Sequence, residues 1–423
     1  MKIDLDPIAI TQKRKDIFSI IQAGFDAIDT RQVLTDSVKL DGDMLTIKDK
    51  NFNLKEYNSV HIIGFGKVVC DAMATLDEIL GKRIDGGIAI GTHRGVCESV
   101  RMYEGSHPMP SSQNVNASKE IVDLSERLGE KDLVLVVVSG GGSALLCWPP
   151  EECEQGQKLY SEFLNTGGTI QELNTLRKHI SLIKGGGLAK ILYPAHVVGL
   201  VFSDVPGDSY VDVASGPTYK DETTVADAEA IIKKYNLGKY VLNETPKEDN
   251  YFERVLNIPM VSNQYALDAM ALRAGMLGYE STIVSNCLYD SSASVSEILF
   301  KKAAEYEQGK RCVVLAGGEP ALHVPEKHGK GGRNQHLALI AMSAVTDRDV
   351  FVSIGSDGMD NSSAAGAVAD TETKQKAATA GLDASSYLTN FDSYSFFEKT
   401  GDLIVTGPTG ANVSDLMVLL RDK

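Results

Sequence analysis

Apolar residues along this chain fall into two spacings that take turns. The unbroken run at 133–138 and the largely apolar runs at 60–63, 196–202, 312–316 and 350–354 have the length and β-branched content of buried strands. Shorter runs at 87–90, 260–262 and 281–285 predict further strands. Between them, apolar positions recur every three or four residues. Ile17, Ile20, Ile21, Phe25 and Ile28 predict a helix over 11–29 with Lys13, Arg14 and Lys15 on its solvated side. The same spacing predicts helices over 172–190, 225–234, 263–277 and 293–308. Strand followed by helix, repeated through both halves, is the pattern of an α/β fold. A polar, poorly patterned stretch at 237–250 divides the chain into domains 1–240 and 241–423. A final strand ahead of the glycine turn at 407–410 can return to the first domain.

The loops at the strand ends carry the candidate chemistry. After the run 133–138 come Ser139, Gly140, Gly141, Gly142 and Ser143, and then an apparent first helical turn. Strand, glycine loop and helix make an anion site, because glycine lets the backbone approach a ligand and N–H groups at a helix start point at negative charge. A second turn, at Gly64 and Gly66, places Lys67 at a helix start, where an ammonium can pair with phosphate or carboxylate. The third glycine of a dinucleotide fingerprint is missing there, since Val69 occupies its place. His107, ahead of Pro108, reads equally as a structural residue or a substrate contact. Arg177, Lys178 and His179 precede Lys184 and a glycine turn, a cluster that either complements a helix end or lines an anion site.

Asp204 and Asp208 crowd the end of the run 196–202, and ligands of α/β sheets bind outside the carboxyl ends of strands. In the second half Glu319 follows Gly317 and Gly318. Lys330, Gly331, Gly332, Arg333 and Asn334 open an apolar helix, offering a second helix start with a guanidinium suited to phosphate or carboxylate. Asp357 and Asp360 lie in a glycine loop, which points either to Mg²⁺ or to an Asx turn.

Composition removes several classes of function. Of 423 residues, 43% are hydrophobic and 23% charged, with 42 basic against 57 acidic residues and a formal charge of −15. That balance argues against nucleic-acid or anionic-membrane partners. The length argues for two domains. No run approaches a membrane span or a signal peptide, which reads as a cytoplasmic protein. The six cysteines show no CxxC or zinc spacing and read as buried thiols. Taken together, the strand-end loops supply cations, backbone donors and acids, the inventory of phosphoryl transfer. There is no Walker A sequence and no HRD or DFG element. In this inventory Mg²⁺ is held mainly by nucleotide phosphates, with Asp204 or Asp357 as the protein's carboxylate contact.

The motifs GFGK at 64–67, SHPMP at 106–110, SGGGSALL at 139–146, LNTLRKHIS at 173–181, KGG at 184–186, SDVPGD at 203–208 and ASGPT at 214–218 occur in order. They are followed by GGE at 317–319, KGGRNQ at 330–335, GSDG at 355–358 and TGPTGANVSDL at 406–416. With them the chain resembles the two-domain ATP-dependent glycerate 2-kinases whose C-terminal half is the MOFRL domain. The resemblance implies a Rossmann-like first domain with a mainly parallel sheet, a smaller second α/β domain with a mixed sheet, and an active site in the cleft between them. It implies ATP-dependent phosphorylation of D-glycerate to 2-phosphoglycerate, with Lys67, Asp204 and Arg333 as catalytic residues. Ser139, Gly140, Gly141, Gly142, Ser143, Lys184, Asp208, Glu319, Gly331, Gly332 and Asn334 would bind substrate or phosphate. Expected partners are glycerate and a nucleotide, and a homo-oligomer is compatible with the sequence.

Three departures stand out: Pro320 where a Thr is expected, His336 where an acid is expected, and a loop one residue short after Asp360, which weakens a metal role for that acid. Some relatives are labelled hydroxypyruvate reductases, so that activity is the rival reading, and a non-catalytic sugar-acid binding protein is a third. The missing third glycine and the lack of an acid for a ribose argue against the nicotinamide cofactor of the first.

Overall fold

A computed structural model describes residues 6–163, 166–307 and 309–423. The chain divides into two compact units: the first holds Thr30–Val205 and Ser209–Met260, and the second holds Val261–Lys423, the stretch ending at Asp29, and Pro206–Asp208.

The first unit begins with an antiparallel meander of β1 (Val38–Asp41), β2 (Met44–Ile47) and β3 (Lys50–Asn53), too short and polar to stand out in the apolar pattern. The main sheet contains β4 (Ser59–Phe65), β5 (Gly86–Gly91), β6 (Arg101–Glu104), β7 (Asp132–Ser139), β8 (His196–Phe202) and β9 (Val255–Val261), in the order β6-β5-β4-β7-β8-β9. Pairs β6–β5, β5–β4, β4–β7 and β7–β8 are parallel. Numbered from β4, this is the 3-2-1-4-5-6 order of a doubly wound sheet, which reverses between β4 and β7. Leu133 through Val138 are all buried, as expected of a central strand covered on both faces.

The second unit holds β10 (Glu280–Leu288), β11 (Cys312–Gly318), β12 (Asp349–Gly355), β13 (Gly366–Asp370), β14 (Leu403–Ile404) and β15 (Asp415–Arg421). Their order is β10-β11-β15-β12-β13-β14. Only β10–β11 is parallel; the other pairs run antiparallel, so the sheet is mixed as expected. The strand ahead of the glycine turn does not return to the first domain: it is β14, paired with β13, and a further strand follows the turn. β15 lies between β11 and β12, because Leu416 to Leu420 are wholly apolar and need cover on both faces.

Two further expectations change. The division falls near 260 rather than 240, since β9 completes the parallel sheet. The helix Gln12–Ile28 belongs with the second unit, where it packs along the helix Asn263–Met276. Arg14 is not on a solvated face: it is wholly buried, with Nε and Nη2 each 2.7 Å from Asp370 and Nη1 2.7 Å from Asp402. Charge alone placed it outside, but burial of arginine is tolerated when the whole fork is paired.

Candidate active site

In the first unit, three parallel strands end side by side and deliver the candidate groups. Lys67 follows β4, Gly140 follows β7 and Asp204 follows β8. The sheet order reverses between β4 and β7, where doubly wound sheets open a crevice at their carboxyl ends. The two loops there are joined directly, for the Lys67 N–H donates to the Gly140 carbonyl at 2.8 Å. The Asp204 carboxylate lies against the Gly140 Cα, so closely that a Cβ at this position would overlap both carboxylate oxygens and Cγ. Gly141 has φ of 81°, and a Cβ there would stand 3.2 Å from Lys67 Cγ and 3.2 Å from His107 Cδ2. Thus Lys67, His107 and Asp204 converge on one glycine loop. Glycine is required at Gly140 for close approach and at Gly141 for the left-handed backbone.

The helix after this loop differs from expectation. It is a single turn, Gly142–Leu145, stopped before Trp148, Pro149 and Pro150, and so has little macrodipole to offer an anion. Ser139 is buried, and its hydroxyl donates to the Phe65 carbonyl at 3.3 Å, which makes it a clamp between β4 and β7 rather than a ligand contact. Gly142 packs on Phe65 and Ala214. Ser143 is half-buried and shares a 2.9 Å hydrogen bond with Ser215.

Lys184 is also corrected. It is 1% exposed, donates to the Leu146 carbonyl at 2.6 Å and is ion-paired with the buried Glu152. Its ammonium has no access to a substrate phosphate in this arrangement. The predicted helix over 172–190 is likewise two helices, Ile170–His179 and Gly187–Leu192, separated by the turn that buries Lys184.

In the second unit, Asp415 opens β15 opposite Gly318 of β11 and Gly355 of β12. The loops following β11 and β12 therefore start beside it. Arg333 meets Asp415 through Nε and Glu319 through Nη2 at 3.2 Å, with 37% of its side chain exposed. Burial works against its charge, but Asp415 and Glu319 outweigh burial and hold its pKa above the ordinary value. Burial pushes the Asp415 carboxyl up to about 6 despite its arginine partner. Asp415 was not singled out from sequence; the signal was an acid placed directly before a fully apolar run.

The helix start at Arg333 is not open to an exogenous anion. Asp360 already caps it, accepting from the backbone N–H groups of Asn334 at 3.1 Å and Gln335 at 2.8 Å. Burial raises Asp360 to about 6, against those two donors and with help from Asp415. A Cβ on Gly332 would run into Asp360, Gly331 packs on Ser393 and Tyr394, and Asn334 is buried between Asp415 at 2.8 Å and Ser353 at 2.6 Å. These three serve the turn rather than a ligand. Asp357 accepts from the Met359 N–H at 3.1 Å, the Asx turn weighed above. The SDVPGD loop is shared out: Asp204 belongs to the first unit, whereas Asp208, with φ of 58°, belongs to the second and accepts from Asn286 at 3.1 Å. Where an acid was expected, His336 is buried and stacked on Phe391, centroids 5.0 Å apart and 9° between planes.

Among the described residues no group of three or more His, Cys, Asp or Glu could hold a metal ion unaided. Single carboxylates such as Asp204 and Asp357 fit a Mg²⁺ that keeps waters and phosphate oxygens as its other ligands. No helix is long and apolar enough to cross a membrane among the described residues.

Residues 16–245 match the model of a domain of unknown function, DUF4147, and residues 312–415 match the MOFRL family. A glycerate 2-kinase of Pyrococcus horikoshii is 33% identical, with 93% of this chain and 94% of that protein covered. A D-glycerate 2-kinase of Thermotoga maritima is 35% identical over 85% of this chain and 90% of that protein. A protein of Agrobacterium vitis described as a putative hydroxypyruvate reductase is 34% identical over 85% and 86%. The crystal structure of a Thermotoga maritima glycerate kinase superposes with a TM-score of 0.83 at 31% identity, covering 96% of this chain and 99% of that one. The order of motifs, the two sheets and these relatives agree, and the chain belongs to the glycerate kinase family that joins a DUF4147 domain to a MOFRL domain.

Proposed function

We propose that the protein transfers the γ-phosphoryl group of ATP to the 2-hydroxyl of D-glycerate. The observation that supports this most is the meeting of Lys67, His107 and the Asp204 carboxylate on the glycine loop Gly140–Gly141 at the reversal of a doubly wound sheet. In this reading Asp204 accepts the hydroxyl proton and the alkoxide oxygen attacks the γ-phosphorus. The bond to the β-phosphate bridging oxygen breaks, and ADP leaves with its electron pair. Lys67 offsets charge building on the transferring oxygens, worth most in a site that excludes water. Arg333, oriented by Asp415 and Glu319, presents its remaining face to an anionic group. Mg²⁺, held mainly by nucleotide phosphates with Asp204 or Asp357 as protein contact, supplies further charge neutralisation when bound.

The test is ATP consumption with D-glycerate, followed by phosphorus NMR of the product. Formation of 2-phosphoglycerate is expected. Inactivity with glycerate, together with nicotinamide-dependent reduction of hydroxypyruvate, would instead favour the reductase reading.

A further inference from the structure

Behind the glycine loop of the first unit lies a small cavity of about 30 Å³, lined by Pro108, Pro110, Ser143, Ala144, Tyr160 and Arg177 among others. Two features connect it to the candidate active site. Pro108 follows His107, which stands beside Gly141, and Ser143 follows Gly142 directly in the loop. The lining is therefore continuous in sequence with the loop on which Lys67, His107 and Asp204 meet.

Arg177 is the unusual member of the lining. Its one side-chain hydrogen bond is a long one, Nη1 to Asn174 Oδ1 at 3.4 Å, and among the described residues no carboxylate pairs with it. A half-buried guanidinium normally meets an acid or several carbonyls, because removing its charge from water is costly without a partner. Arg14, Arg333 and Arg421 all have such acids. Burial accordingly holds the pKa of Arg177 below the ordinary arginine value, with only Tyr160 working against it. The acid that does line the cavity, Glu152, is committed elsewhere: it is ion-paired with Lys184 and accepts from the Trp148 N–H at 2.8 Å. The other polar groups nearby are Tyr160 and the chain Ser143–Ser215–Asn174, in which the Ser215 hydroxyl donates to Asn174 Oδ1 at 3.4 Å and so accepts from Ser143 at 2.9 Å. This leaves a fork of N–H donors facing a space that suits one small anionic group.

We propose that Arg177 binds the carboxylate of the hydroxy-acid substrate. The inference rests on the kinase reading for the identity of the acid. A planar carboxylate matches the guanidinium fork, and the cavity takes that end group but not a nucleotide. With the carboxylate there, the hydroxyl-bearing carbon of a three-carbon acid lies toward the glycine loop, so Arg177 selects acids over neutral polyols.

The test compares wild type with Arg177→Gln and Arg177→Lys, using D-glycerate and its uncharged analogue D-glyceramide. Wild type should prefer glycerate, and Arg177→Gln should shrink that preference in kcat/KM by about 10- to 100-fold, the worth of a charged hydrogen bond, with the KM for ATP within about twofold. Arg177→Lys should fall between, keeping charge but not the fork. A preference ratio is insensitive to general loss of folded enzyme, so an unchanged ratio overturns the proposal. A raised KM for ATP with glycerate unaffected also overturns it, by assigning the cavity to a nucleotide phosphate. Calorimetry with D-glycerate alone separates this idea from the kinase reading. A wild type that binds glycerate through Arg177 yet transfers no phosphoryl group supports the site and refutes the kinase. A kinase whose glycerate binding ignores Arg177→Gln does the opposite.

Discussion

Lys67 and Asp204 stood out in the sequence because each is a charged residue just past a strand, and the structure brings both to one glycine loop. Lys67→Ala should lower kcat by about 10² or more while leaving the thermal midpoint nearly unchanged, since the side chain acts on transferring charge rather than on packing. Paired steady-state kinetics and melting curves decide this, and wild-type kcat would exclude Lys67 from the chemistry. Gly140→Ala makes a complementary test. Its methyl would displace the Asp204 carboxylate, so activity should collapse by at least about tenfold with only a small loss of stability. Lys184 misled the reading for a physical reason: nothing in a sequence says that an acid 32 positions earlier, Glu152, will be buried against it.

Strands and helices followed their periodicities closely, and the errors cluster where an element is short or where its partner is distant. The meander at residues 38–53 is too brief to show a pattern, and β15 was hidden by the glycine turn before it. The helix beginning at Arg333 was recognised, but its cap was not, because Asp360 reaches it from another loop. That cap carries a pH signature. Asp360 and Asp415 both hold protons up to about 6 in the folded chain, above the ordinary carboxyl value near 4. Between those values these two acids bind more protons in the folded state than in the unfolded one, so their contribution to stability is fullest below about pH 4 and is lost as pH rises through 6. The two acids interact and titrate as a pair. Asp360→Asn should therefore raise the thermal midpoint at pH 7 relative to wild type more than it does at pH 4. A mutant that parallels wild type across that range would show that Asp360 is ionised throughout.

The chain as a unit of folding was read least well, because the sequence shows where patterns change but not which distant segments pack together. The boundary looked like a linker at 237–250, whereas the second unit also draws on the helix Gln12–Ile28. Arg14 ties that helix to Asp370 and Asp402 without exposure. Arg14→Ala should destabilise the protein by about 3–5 kcal/mol, since two buried acids lose their counter-charge, and chemical denaturation should report it. Loss below about 1 kcal/mol would mean that Lys376, 2.8 Å from Asp402, suffices alone.

The same topology has a consequence for biosynthesis. The parallel-sheet unit is inserted into the sequence of the other, so the helix Gln12–Ile28 leaves the ribosome long before its partner Asn263–Met276 exists. At usual elongation rates that interval is roughly 10 to 50 s. Throughout it, Ile17, Ile20, Ile21 and Phe25 form an apolar stripe that lacks the helix that covers it in the folded chain.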